Sequence, residues 1–235
     1  MLHLNDVVLR RGDFALRADA SLVAGKVTAL MGSSGSGKST LLAAIAGFEA
    51  PVSGRITLDG RDITDLAPGD RPVSILFQDG NLFPHLTVAQ NVGLGLRPDL
   101  RLSKQQVSER DQVLARVGLG GMPDRLPRDL SGGQQSRAAL ARALVSGRSW
   151  LLLDEAFSAL GPALRREMLA LVRDMAESRG MSVLMVTHDP RDARQIADFT
   201  GLIHEGHLSD PRPTSPLFAD PPPELLEYLG DSRSD

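Results

Sequence analysis

Residues 32–40 read GSSGSGKST and fit the pattern G-x-x-x-x-G-K-S/T. Between a strand and a helix, that pattern makes a phosphate-binding loop, because successive backbone N–H groups converge there on an anion. Gly32, Ser33, Ser34, Gly35, Ser36, Gly37, Lys38, Ser39 and Thr40 stand between an apolar run at 26–31 and a helical pattern at 38–46, the context the motif requires. The N–H groups of Gly35 to Ser39 are expected to wrap a β-phosphate, Lys38 to reach β- and γ-oxygens, and Ser39 to ligate Mg²⁺. WLLLDE, residues 150–155, is the natural complement: an apolar strand ending in two carboxylates. Asp154 can hold the Mg²⁺ shell, and Glu155 can orient or deprotonate an attacking water.

Two further side chains follow strand-like runs. Gln78 comes after VSILF and can touch Mg²⁺ or the attacking water; alone, a glutamine there is most often plain surface. His188 ends VLMVTHD and can hydrogen-bond a γ-phosphate, although a lone histidine there is more often structural. LSGGQ, residues 130–134, places a serine and two glycines before a long helical run, which is how a chain builds a second anion-binding turn. One nucleotide does not obviously need both.

The elements that must position these residues alternate. Strand signals fall at 2–9, 14–18, 26–31, 55–58 and 73–77, the fourth leading into an Asp59-Gly60 turn. From 87 to about 145 they vanish, and helical stretches at 103–117 and 133–145 are joined by breaks such as GLGGMPDRLP. The α/β rhythm returns with a strand at 150–153, a helix opened by Pro162, a strand at 182–186, a short helix near 191–197 and a strand at 201–204. The tail from Asp210 is proline-rich, with one amphipathic piece at 224–229. This alternation predicts an α/β fold with a mostly parallel sheet covered on both sides, and there is no internal repeat.

Composition narrows the function classes. A net charge of −3 gives no reason to expect nucleic acid as a partner. With no cysteine, disulfides and thiolate metal sites are excluded. Charged residues interrupt the N-terminus before a signal-peptide core forms, and no apolar run is long enough to span a bilayer, so any membrane crossing is expected from another chain.

The phosphate loop, Gln78, LSGGQ, LLLDE and His188, in this order and at these intervals, resemble the ATP-binding subunits of ABC transporters over nearly the whole chain. Guanine-nucleotide switches and small-molecule kinases share the loop but lack LSGGQ, and no Asn-Lys-x-Asp guanine reader is present. The resemblance implies a P-loop NTPase (RecA-like) core at about 1–78 and 148–208, with an N-terminal antiparallel β subdomain, a helical insertion at about 79–147 and a tail at about 209–235. It also implies ATP and Mg²⁺ as cofactors and a head-to-tail homodimer, in which Ser131, Gly132, Gly133 and Gln134 of one copy cap the ATP held by the other. That answers why two anion turns exist.

The segments RPVSILFQDGNLFPHLTVAQNVGLGLRPDLRL and LLLDEAFSALGPALRREML, with the opening MLHLNDV, are similar to thiamine/thiamine pyrophosphate importer ATPases. This likeness implies separate permease subunits, an indirect periplasmic thiamine-binding partner and a peripheral place on the cytoplasmic face of the bacterial inner membrane. Phe77, Leu82, Phe83 and Leu86 are then expected to line the groove for the permease, with core packing an equal account of two or three of them. The alternatives are an importer ATPase for another small solute (iron, polyamine, amino acid), an exporter ATPase, or a non-transport ABC ATPase. The chain departs from the family at DEAFSALGP, where Ala156 and Gly161 replace a usual proline and aspartate, and at Ser136, where a larger polar residue is common; Arg137 is retained. The aromatic that stacks on adenine is missing from its usual place. Arg11 and Phe14 are the nearest substitutes, Phe14 pointing equally well into the core.

Overall fold

A computed structural model describes residues 1–12, 14–78 and 80–231. Strands β1 (Leu2–Arg11) and β2 (Phe14–Leu22) form a hairpin, followed by β3 (Val27–Met31), α1 (Lys38–Ala46), β4 (Ser53–Leu58), the short β5 (Arg61–Asp62) and β6 (Val73–Leu76). Three helices come next, α2 (Val88–Gly93), α3 (Lys104–Arg116) and α4 (Gly132–Val145). The chain then alternates through β7 (Trp150–Asp154), α5 (Pro162–Arg179), β8 (Ser182–Val186), α6 (Pro190–Ile196) and β9 (Phe199–His204). It finishes with β10 (His207–Leu208), β11 (Arg212–Pro213), α7 (Thr214–Ala219) and α8 (Pro223–Asp231).

Five strands in the order β6-β7-β8-β3-β9 are all parallel. The antiparallel set β5-β4-β1-β2 joins them through β10, which runs parallel to β2 and antiparallel to β9. Because strand side chains alternate with period two, each parallel strand feeds two cores. Val27, Ala29, Met31, Leu151, Leu153, Val183 and Met185 face the core shared with α4 and α5. Leu30, Trp150, Leu152, Leu184 and Val186 face the core where α1 is packed against the β1–β2 hairpin. Helix α1, which follows the glycine-rich turn at 32–37, is therefore held between the antiparallel and parallel parts of the sheet by Leu41, Leu42 and Ile45, all fully buried.

Four strands outrun the sequence expectation by two residues or more: β4 begins at Ser53 and β9 at Phe199, and β1 and β2 both run on. The hairpin pairs Arg11 with Phe14 at one end and Leu2 with Leu22 at the other, so β1 passes residue 9 and β2 passes residue 18. In β2 the buried positions include Ala18 and Ala20, whose small side chains hide the alternation from a hydropathy reading. Strand β6 stops at Leu76, leaving Phe77 just beyond it. The segment after 208 is more ordered than a proline-rich tail suggests: β11 pairs with β9, and Leu217 and Leu225 are buried in the main core. The last four residues of the expected tail lie outside the described residues.

Candidate nucleotide site

The loop expected to bind phosphate runs from the end of β3 into α1 and is shaped by three glycines at positive φ: Gly32 (156°), Gly35 (81°) and Gly37 (95°). A Cβ on Gly32 would come within 2.5 Å of the Ile203 carbonyl oxygen, so only glycine lets the loop leave the sheet there. A Cβ on Gly37 would meet Phe14 Cζ at 2.6 Å. Phe14 thus leans on the loop and packs against the α1 core, whereas Arg11 is exposed. The start of α1 has no side-chain cap, leaving its first N–H groups without intrahelical partners. The Ser36 Oγ is buried without a hydrogen-bond partner among the described residues. An uncapped helix start beside an orphaned hydroxyl, with Lys38 inside the turn, is a donor set that fits a polyphosphate.

Lys38 is 5% exposed and its Nζ donates to the carbonyls of Gly32 (2.9 Å) and Ser33 (2.8 Å). Burial lowers its pKa from the usual value, an effect opposed by the nearby Glu155 and Asp154 carboxylates. Ser39 Oγ donates to Asp154 Oδ1 at 2.7 Å, bringing the loop and the end of β7 together. Burial raises the Asp154 carboxyl above its ordinary range and Glu155 adds to the shift, while the Ser39 hydrogen bond and Lys38 oppose it. A hydroxyl and a half-buried carboxylate in contact are hard oxygen donors suited to Mg²⁺.

Glu155 stands in the left-handed region, at φ 46°, where the chain turns off β7. Its Oε2 lies 3.1 Å from His188 Nδ1 at the end of β8. A network behind His188 fixes this loop: Asp192 accepts from Thr187 Oγ1 (2.8 Å) and pairs with Arg165 of α5, and the Asp189 N–H donates to Thr187 Oγ1 at 3.0 Å. Asp189 caps α6 by accepting from the Arg191 N–H. From α8, the Tyr228 hydroxyl donates to the His188 carbonyl. Gln78 follows β6 at an exposed position and forms no side-chain hydrogen bond among the described residues.

Ser131–Gln134 sit apart from these residues in sequence and on another element. Ser131 is the N-cap of α4: its Oγ accepts from the Gln134 N–H (3.3 Å), and Gln134 Oε1 accepts from the Ser131 N–H (2.9 Å). Ser131 and Gly132 are exposed, and a Cβ on Gly132 would meet nothing within 4 Å. A Cβ on Gly133 would strike Leu164 of α5 at 2.5 Å. The structure therefore gathers Gly32–Thr40, Asp154, Glu155 and His188, and presents Ser131 and Gly132 to the outside.

Sequence reasoning missed several side chains that hold the site. Arg71 is 2% exposed and donates to the carbonyls of Ala44 (2.6 Å) and Ile45 (3.0 Å) at the end of α1, and to those of Leu66 and Thr64. Asn91, fully buried, donates to the Phe83, Leu86 and Thr87 carbonyls and accepts from the Phe83 N–H, pinning the loop before α2. Arg142 adds bonds to the Gly80 and Asn81 carbonyls, with its guanidinium 5.9 Å from the Phe83 ring. An asparagine between Val88 and Val92 in an apolar helix was the one signal available.

The profile of the ABC transporter family matches residues 17–158. The thiamine import ATP-binding protein ThiQ of Cereibacter sphaeroides is 58% identical to this chain over 98% of it and 100% of the relative. That of Brucella suis is 47% identical over 99% of this chain and 97% of its own length. Among solved structures, the ATP-binding cassette MJ0796, seen as a dimer in a post-hydrolysis state with ADP and Pi, superposes with a TM-score of 0.78 at 29% identity. It covers 91% of this chain, and this chain covers 99% of it.

Proposed function

This chain belongs to the ABC transporter family, and from that premise we propose that it is the ATP-hydrolysing, energy-coupling subunit of a thiamine importer. The observation that carries the cargo is the near-complete alignment, at 47–58% identity, with proteins named for thiamine import. No helix among the described residues is long and apolar enough to cross a membrane, so separate permease subunits supply the crossing. The protein works in association with a membrane; we assign it to the cytoplasmic face of the bacterial inner membrane, with a periplasmic thiamine-binding protein as an indirect partner.

In this reading the N–H groups of residues 32–40 and the Lys38 ammonium bind the phosphates. Ser39, Asp154 and Gln78 would hold Mg²⁺, which, when bound, supplies charge neutralisation to the phosphate oxygens. Glu155 orients the attacking water and accepts its proton; His188, with Nδ1–H donating to Oε2, keeps that carboxylate in place and leaves its other ring nitrogen to the γ-phosphate. Ser131, Gly132, Gly133 and Gln134 of a second copy cap the same ATP, the exposed helix start of α4 supplying N–H groups and a positive dipole end. Loss of the γ-phosphate removes that contact, so hydrolysis opens the dimer and moves the permease.

The surface after Gln78 is where the permease would rest. Phe83 is 46% exposed, and its main chain is held by Asn91 while Arg142 covers one side of its ring, so an apolar side chain is kept facing outward on a fixed backbone. Labelled thiamine uptake at nanomolar external concentration tests the assignment in cells carrying the wild type or Glu155→Gln. Loss of uptake in the variant is expected; uptake that persists would remove thiamine as the cargo.

A further inference from the structure

A cavity of about 420 Å³ lies between β9, β10 and the C-terminal helices. Its walls are the buried side chains Leu202, Leu208, Leu217 and Leu225. Four exposed charged groups also line it, the carboxylates of Glu205, Asp210 and Glu224 and the guanidinium of Arg212, and the imidazoles of His204 and His207 stand among them. None of the four forms an ion pair among the described residues. The volume falls in the range of small-molecule sites, and an apolar wall beside three carboxylates suits a ligand with a flat apolar body and a positive charge.

Helix α8 connects this cavity to the catalytic end of the sheet. Leu225 lines the cavity, and Tyr228, one turn later, gives its hydroxyl to the His188 carbonyl. His188 in turn pairs with Glu155. A shift of α8 that moves Leu225 therefore also moves the loop that holds the catalytic carboxylate.

We propose that this cavity is a regulatory site for a small organic cation of the imported class, and that Tyr228 of α8 transmits its occupancy to His188. The identification of that cation with thiamine rests on the cargo reading above. A site facing the same compartment as the ATP would let the accumulated product set the pace of the ATPase.

Calorimetric titration of the full chain with thiamine, paired with steady-state ATPase assays, tests both parts. Saturable binding is expected, weakened about tenfold or more when Asp210→Asn and Glu224→Gln are combined. Thiamine should change kcat for ATP by about fivefold, and Tyr228→Phe should keep the binding while abolishing that response. No saturable binding at millimolar thiamine, or binding indifferent to the double substitution, overturns the site. Binding without a kcat response, or a response that survives Tyr228→Phe, overturns the transmission. Uptake is measured separately: uptake without binding rejects this cavity alone. A chain that binds choline and not thiamine, in cells that take up no thiamine, rejects the cargo and retains the site for an organic cation.

Discussion

Lys38 spends its buried ammonium on two carbonyls of its own loop, with its pKa pulled down by burial. Phosphate oxygens are stronger partners for that charge, so Lys38→Ala should weaken ATP binding by about 2–5 kcal/mol, read as a shift in Kd by fluorescence titration. Asp154 carries the opposite strain. Its carboxyl is raised by burial, so its ionised form costs folding stability above that raised value, and the cost is relieved as pH falls through it. Asp154→Asn should then raise the Tm of the nucleotide-free protein near neutral pH by roughly 1–3 °C, while Mg²⁺-dependent hydrolysis is lost. In the nucleotide-free wild type, the Tm gap to Asp154→Asn should begin to close on acidification while the pH is still above 3.8, the ordinary aspartate value. An unchanged Tm in the variant would show that Ser39 and Lys38 already compensate the buried charge. That Lys38, Ser39 and Asp154 come together was legible in the sequence, because the motif at 32–40 and the strand end at 154 are each short and fixed in spacing. Phe14 was not settled: an aromatic beside a glycine gives no sign of whether it meets a base or a backbone, and its ring leans on Gly37.

At the scale of the element, the least legible feature is Arg71, whose partners are main-chain carbonyls contributed by α1 and by residues 64 and 66. Carbonyls carry no residue identity, so no sequence pattern announces them; the same holds for Asn91 and the loop at 83–87. Arg71→Met leaves those carbonyls unpaired beneath the phosphate-loop helix and should cost about 2–4 kcal/mol in urea unfolding. Parallel strands, by contrast, were legible because two-sided burial writes continuous apolar runs, and the long helices because one buried face repeats at helical spacing. Gly161, the N-cap of α5, accepts no side-chain bond and has open space around a Cβ. Gly161→Asp should therefore fold normally and gain a few tenths of a kcal/mol from capping, about 0.3 by the usual Gly-to-Asp difference. Since Arg165 of the same helix pairs with Asp192 behind His188, this substitution should also strengthen cooperativity between the two ATP sites. A Hill coefficient for ATP that does not change would sever α5 from that coupling.

At the scale of the molecule, one copy assembles Gly32–Thr40, Asp154, Glu155 and His188, and turns Ser131 and Gly132 outward on α4. The order and spacing of these motifs made the fold and the family legible before any coordinates. How α8 meets His188 was hidden, because its link is a hydroxyl on a main-chain carbonyl far away in sequence. The central claim is that a complete ATP site needs two copies, and the open space around Gly132 makes it testable. A Cβ at position 132 meets nothing within 4 Å among the described residues, and the carboxylate of Gly132→Asp would stand against the γ-phosphate of the facing copy. The decisive measurement is light scattering of Glu155→Gln with saturating Mg-ATP, alone and combined with Gly132→Asp. The account predicts that the molar mass doubles with ATP in the first protein and stays monomeric in the second, which still binds ATP. A Glu155→Gln protein that binds ATP and remains monomeric, or a dimer indifferent to Gly132→Asp, would contradict it.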